Sequence, residues 1–246
     1  MSTKTENGDT EAPGPGGPVH ARRIRSFVTR AGRITKAQQA ALHELWPRYG
    51  IEFANGLLDL DAEFRRSAPR TVEIGFGNGA ALLELAQCQP GRDYLGIEVH
   101  QAGVGHCLLG IEAKALSNVR LSSHDAVDVL AAQIPNSSLD EILIFFPDPW
   151  HKKRHHKRRL VQPKFADLLA RKLAAGGRLH LATDWEDYAA HMIEVLDACP
   201  SLRNLAGKGG FVERPASRPV TRFEARGHRL GHGVWDLAYR NDQSPA

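Results

Sequence analysis

Thr71-Val72-Glu73-Ile74-Gly75-Phe76-Gly77-Asn78-Gly79-Ala80 decides the fold: a short apolar run gives way to alternate glycines and then to a helical pattern. Glycines belong where a strand turns tightly into a helix and the backbone must approach a ligand without Cβ atoms in the way. The same alternation continues outward. Short apolar runs predict strands at Thr71–Ile74, Tyr94–Val99, Val119–Ser122, Glu141–Phe146 and Arg178–Thr183. Helical patterns lie between them at Ala80–Cys88, Ala102–Ala115, Ala126–Gln133, Lys164–Ala174 and Trp185–Ala198. Strands of the fully buried type alternating with helices predict an α/β fold, a mainly parallel sheet covered on both faces. The Gly-rich segment Phe223–Arg240 alternates less regularly, and a late antiparallel hairpin is expected there.

Upstream, a helix is predicted over Lys36–Tyr49, preceded by Arg22, Arg23, Arg25, Arg30 and Arg33. Residues 1–18 are polar and then rich in Gly and Pro, too poor in apolar groups to order themselves. The expected division is a disordered tail (1–20), a basic segment with its helix (21–69), and a cofactor-binding domain with RNA-contacting loops (70–246). At 246 residues and 24% charged residues the composition is that of a globular domain, with no run approaching roughly 18 apolar residues and no apolar signal core. The three cysteines, Cys88, Cys107 and Cys199, are odd in number and far apart, so a cytoplasmic location is expected.

The glycine turn satisfies two patterns. Gly75, Gly77 and Ala80 match the dinucleotide fingerprint G-x-G-x-x-G/A, and Glu98 closes the next strand 19 residues beyond Gly79, where a carboxylate can accept ribose hydroxyls. NAD and S-adenosyl-L-methionine (SAM) both fit so far. Glu73 favours SAM, because a buried acid repels a pyrophosphate and attracts a sulfonium and an ammonium. Asp125, after the third strand, sits where an adenine amino group could be accepted, and is equally suited to cap the following helix.

The fourth strand leads into Pro147-Asp148-Pro149-Trp150, where two prolines hold one carboxylate in a fixed direction and an indole offers a stacking face. His151-Lys152-Lys153-Arg154-His155-His156-Lys157-Arg158-Arg159 follows, nine successive residues that are cationic or protonatable. Beside a nucleoside pocket such a run suits phosphate clamping. Zinc held by His151, His155 and His156 is disfavoured by the surrounding cations and the lack of a cysteine or acid ligand, and no metal is expected.

These residues resemble the bacterial tRNA (guanine-N7-)-methyltransferases. The resemblance spans roughly residues 22–240. It rests on Arg22–Phe27, Glu73–Gly79, Gly96–His100, Phe145–Lys152, Ala182-Thr183-Asp184-Trp185 and Arg214–Glu224. It implies a Rossmann-like class I methyltransferase with a seven-stranded sheet and a late antiparallel strand. SAM would be lined by Glu73, Gly75, Gly77, Gly79, Glu98, Asp125 and Asp148, with Asp148 also catalytic. Lys152, Asp184 and the stretch Thr221, Arg222, Phe223 and Glu224 would touch the substrate. Arg154, His155, His156, Lys157, Arg158 and Arg159 would contact tRNA. The implied product is 7-methylguanosine at position 46 of the variable loop. Asp184 has a second reading, as the N-cap of the helix starting at Trp185. Neither a membrane nor an obligate protein partner is implied, and monomer and homodimer both stay open. Competing readings are a methyltransferase for another RNA or base atom, an NAD-dependent oxidoreductase, and a non-enzymatic RNA-binding module.

Overall fold

The computed structural model describes residues 25–27, 33–220, 224 and 233–242. One sheet organises them, built from β1 (Gly50–Ile51), β2 (Arg70–Ile74), β3 (Asp93–Ile97), β4 (Val119–Ser122), β5 (Leu139–Phe145), β6 (Leu173–Thr183), β7 (Leu202–Asn204) and β8 (Trp235–Asn241). Their order is β1-β4-β3-β2-β5-β6-β8-β7. The strands from β1 to β6 pair in parallel, whereas β8 runs antiparallel to both β6 and β7.

Each central strand sends alternate side chains to opposite faces. Val72, Ile74, Ile142 and Ile144 join one buried cluster, with residues of α3 (Leu60–Phe64), α6 (Ala126–Ala132), α7 (Pro163–Lys172) and α8 (Glu186–Asp197). Leu143 and Phe145 join the other, with α1 (Lys36–Glu44), α2 (Trp46–Tyr49), α4 (Ala80–Cys88) and α5 (Gln101–Ala113). Fully burying one such aliphatic side chain stabilises by about 1.5–3 kcal/mol, so the pleat alone commits both faces to cover.

The sheet has one strand more than the seven expected, the two-residue β1 beside β4. The predicted helix 36–49 is two helices. Thr35 and Gln38 form a reciprocal capping box at the start of α1, and Pro47, which lacks an N–H, sits in the first turn of a separate α2. The strand predicted from Arg178 begins at Leu173, directly after α7, because Leu173 already pairs with Leu139. The expected late hairpin is present in part. β8 is antiparallel as anticipated, but its second partner is Leu202–Asn204, upstream of the segment assigned to the hairpin. Residues 225–232 of that segment lie outside the described residues.

β2 lies at the point where the order reverses, with β3 on one side and β5 on the other. Open α/β sheets bind ligands outside the carboxyl ends of their strands at such a switch point. Ile74 pairs with Ile144, so the glycine turn and the loop after β5 leave the sheet side by side.

Candidate active site

The glycine turn is held in a conformation that other residues rarely adopt. Gly75, Gly77 and Gly79 have φ of 73°, 61° and 81°. Cβ atoms at Gly75 and Gly77 would meet nothing within 4 Å, so there the requirement is conformational. At Gly79 it is also steric, since a Cβ would lie 2.4 Å from Cys107 Sγ.

One face of α5 braces this turn. Gly103 brings the helix so close that a Cβ would lie 2.1 Å from the Gly77 carbonyl oxygen. His106 Nδ1 is 3.0 Å from the Asn78 carbonyl, and Cys107 sits under Gly79. Successive turn residues therefore meet α5 at positions i, i+3 and i+4. The sequence reading missed this brace. Its signal was available, because glycines at 103, 105 and 110 inside a helical pattern need a packing reason.

Glu98 adds a second hold. Its Oε2 accepts the Gly77 N–H at 2.9 Å, and its Oε1 accepts the Val99 and His100 N–H groups at 2.8 and 3.0 Å. Glu73 lies on β2 directly beneath, 3% exposed, and its Oε2 has no hydrogen-bond partner among the described residues. Burial, and then the charge of Glu98, push its carboxyl up to about 8. An orphaned carboxyl in a sheet is costly unless something cationic compensates it. Asp125 caps α6, accepting the Val127 N–H at 3.0 Å.

Across the switch point, Phe146 and Trp150 flank the Pro147-Asp148-Pro149 corner, both at positive φ (51° and 49°). Asp148 is exposed, and its Oδ1 accepts the Trp150 N–H at 3.0 Å. Trp150 is committed elsewhere than the sequence suggested. Its Nε1 donates to the Ser26 carbonyl at 3.0 Å, and the Arg158 guanidinium lies 4.9 Å from its ring centre. One face of the expected stacking platform is thus covered by a cation of the same loop.

The basic run forms a 3-10 helix, Lys153–Arg158, and its members separate by exposure. Lys152, Lys153, Arg154 and Lys157 are exposed, while His155, His156 and Arg158 are half-buried. Partial desolvation and then the charges of Arg154, Arg158, Lys152 and Lys157 hold the His155 imidazole below its ordinary pKa. Arg159 is a correction. It is 3% exposed, donates to the Pro149 carbonyl at 3.0 Å and to Asp187, and lies under the Tyr188 ring. It pins the Asp148 corner to the start of α8 instead of facing outward. The three histidines diverge: His151 meets Trp185, His155 meets Trp150, and His156 lies between Arg159 and Asp187.

Asp184 follows β6 and is half-buried. The N-cap of α8 is Trp185, without a side-chain cap, so the capping role expected of Asp184 is not realised. Glu224 is a second departure. It is 1% exposed and takes both guanidinium nitrogens of Arg218, at 2.7 and 2.9 Å, instead of standing open to a substrate. Thr221, Arg222 and Phe223 lie outside the described residues. Among the described residues no three His, Cys, Asp or Glu side chains gather as a metal site, and no helix is long and apolar enough to cross a membrane.

The carboxyl edge of the sheet therefore carries a braced glycine turn with three acids on one side and a rigid Asp corner under a cationic ridge on the other. That fold is shared with solved structures. A 16S rRNA methyltransferase, KamB, superposes with a TM-score of 0.53 at 16% identity, covering 77% of this chain and 95% of that one. The [4+2]-cyclase SpnF does so with a TM-score of 0.52 at 16% identity, covering 86% and 98%. A family model described as "Putative methyltransferase" matches residues 67–237. The protein is thus a methyltransferase with a Rossmann-like class I fold. The tRNA (guanine-N(7)-)-methyltransferase of Ectopseudomonas mendocina is 58% identical over 90% of this chain and 93% of its own length. That of Xanthomonas oryzae pv. oryzae is 60% identical over 90% and 88%. This chain belongs to the tRNA (guanine-N(7)-)-methyltransferase family.

Proposed function

We propose that this chain transfers a methyl group from SAM to N7 of a guanosine in tRNA, at position 46 of the variable loop, forming 7-methylguanosine. The observation that carries the reading is the adjacency of two loops: the glycine turn with its acids, and the Asp148 corner with its cations, leave in-register neighbouring strands. An oxidoreductase needs neither the orphaned Glu73 nor a cationic ridge. The direct test is transfer of labelled methyl from SAM to unmodified tRNA, with the modified nucleoside identified and mapped. Label appearing in another base, or at another atom of guanine, would refute the assignment.

The residues present fit SAM. Glu73 supplies an uncompensated carboxyl for a cationic ligand, Glu98 retains acceptor capacity toward hydroxyls, and Asp125 stands at the end of β4. SAM contributes an electrophilic methyl on a sulfonium. Guanine N7 carries an in-plane lone pair, so no proton has to leave before attack. The protein's part is to orient, which can lower a barrier by roughly 7–11 kcal/mol, and to counter charge. Asp148 accepts from the guanine N1–H and exocyclic amine, which aims N7 and offsets the positive charge of the product. Asp184 shares that charge. Lys152, Lys153, Arg154 and Lys157 hold the polynucleotide, and the site needs the base swung out of its stack, at a cost of a few kcal/mol.

Two expected results test the cofactor side. Glu73 loses its proton near pH 8 in the folded protein and near 4.5 when unfolded, so its burial carries no charge penalty below 4.5, and stability falls as pH rises from 4.5 through about 8. A cationic ligand must ionise it. SAM affinity should therefore rise with pH up to about 8, level off above, and release a proton at lower pH. Calorimetry in buffers of different ionisation enthalpy reads that proton. Glu73→Gln should flatten the dependence, and a parental profile flat between pH 6 and 8 would remove Glu73 from the ligand's surroundings. Gly103→Ala should displace the glycine turn. Overpacking costs roughly 1–3 kcal/mol, so SAM KM should rise roughly 5–150-fold with tRNA KM little changed. An unchanged SAM KM would show that α5 does not set the turn.

A further inference from the structure

Arg218 is buried like no other cation among the described residues. Its side chain is 0% exposed and it heads the largest fully buried side chains. Besides the fork to Glu224, its Nη2 donates to Asp236 Oδ2 at 3.0 Å, and its Nε lies 2.7 Å from Asp236 Oδ1 as an ion-pair contact. Its guanidinium carbon is 5.8 Å from the ring centres of both Phe145 and Phe146. His180 Nε2 meets Asp236 at 2.8 Å, and Arg214 Nε meets Glu224 at 3.1 Å.

These partners belong to the ends of three segments. Phe145 and Phe146 immediately precede the Asp148 corner. Asp236 of β8 stands opposite Ala182 of β6, two residues before Asp184. Glu224 closes the stretch that begins at Thr221. A buried ion pair adds little net stability over apolar packing of the same volume, and its distinctive contribution is geometric. A guanidinium is planar and always charged, so binding two carboxylates through fixed nitrogens sets their mutual placement. The cofactor half of the edge, on β2, β3 and β4, makes none of these contacts.

We propose that Arg218 is a positioning residue for the base: one guanidinium sets the Asp148 corner, Asp184 and Glu224 in a fixed relation, without touching the substrate. This rests on the proposed guanosine methylation. A misplacement of about 1 Å at reacting groups can cost roughly 10²-fold. Arg218→Lys keeps the charge and loses the fork. It should lower kcat for tRNA roughly 10²-fold while the SAM dissociation constant, measured on the same preparation, stays within about twofold. A purely structural role would lower the melting temperature and leave kcat and both affinities parental below it, and that result would overturn the proposal. Should Arg218→Lys be unfolded at the assay temperature, Asp236→Asn keeps the Glu224 fork and weakens one anchor. Folded Asp236→Asn should lose kcat with SAM binding retained, and parental kcat would overturn the proposal. The parental protein's formation of 7-methylguanosine in the same assay tests the underlying reading separately.

Discussion

Replacing Asp148 with alanine should lower methyl transfer to tRNA roughly 10²–10³-fold, the usual loss when one pre-aimed electrostatic group is removed. Its effect should fall on kcat. Affinity for tRNA comes mainly from phosphate contacts, and Asp148 is an exposed acid beside a cationic ridge, so its removal leaves tRNA binding unchanged or slightly tighter. Alanine also deletes the acceptor for the Trp150 N–H, which holds a residue at positive φ. Asp148→Asn separates these effects. An Asn oxygen can keep the turn, but it carries no charge to offset the cationic product. If both variants lose turnover, charge is the essential property. If only alanine does, the turn is. Parental turnover in Asp148→Ala would end its assignment as the catalytic group.

The second large effect concerns grip. Changing Lys152, Lys153, Arg154 and Lys157 together to Gln should weaken tRNA binding roughly 10²–10³-fold at 0.1 M salt and reduce the slope of log affinity against log salt by up to about 3.6, at about 0.7–0.9 per phosphate contact. SAM affinity should be untouched. His155 should contribute little to that slope at pH 7, because partial desolvation and the neighbouring cations hold its imidazole below the ordinary pKa. Arg159→Lys is the contrasting variant. It should leave the salt slope parental and destabilise the fold by roughly 1–3 kcal/mol, since its hydrogen bonds are internal. A slope that falls equally in both variants would mean that the division of the run into outer and inner members is wrong.

That division shows where sequence reading stopped. The run 151–159 is legible as a cationic segment next to the corner, but nothing in nine like residues says which turns inward. That depends on Asp187, 28 positions away, and on a carbonyl presented by Pro149. Glu224 and Asp184 show the same limit. Their roles hinge on Arg218 and on where α8 begins, and only packing decides either. The central strands were legible because short apolar runs rich in Val, Ile and Leu are followed within a few residues by Gly, Pro or an acid. β1 and β7 have two and three residues, too short for any period to register, and they exist because a neighbouring strand offers unpaired N–H groups. The cofactor acids were readable for a different reason: Glu73 interrupts the apolar run of β2, and Glu98 and Asp125 follow the carboxyl ends of β3 and β4.

The late strand lies inside the sheet, between β6 and β7, and it brings Asp236 with it. A chain leaving the ribosome from its amino end can therefore assemble the methyl-donor half early, while the guanine half waits for almost the whole polypeptide. Until then the free border of β6 is an open template for strands of other molecules. Aggregation during synthesis should therefore concentrate at that border, and the nascent enzyme gains its donor pocket before it can hold an acceptor.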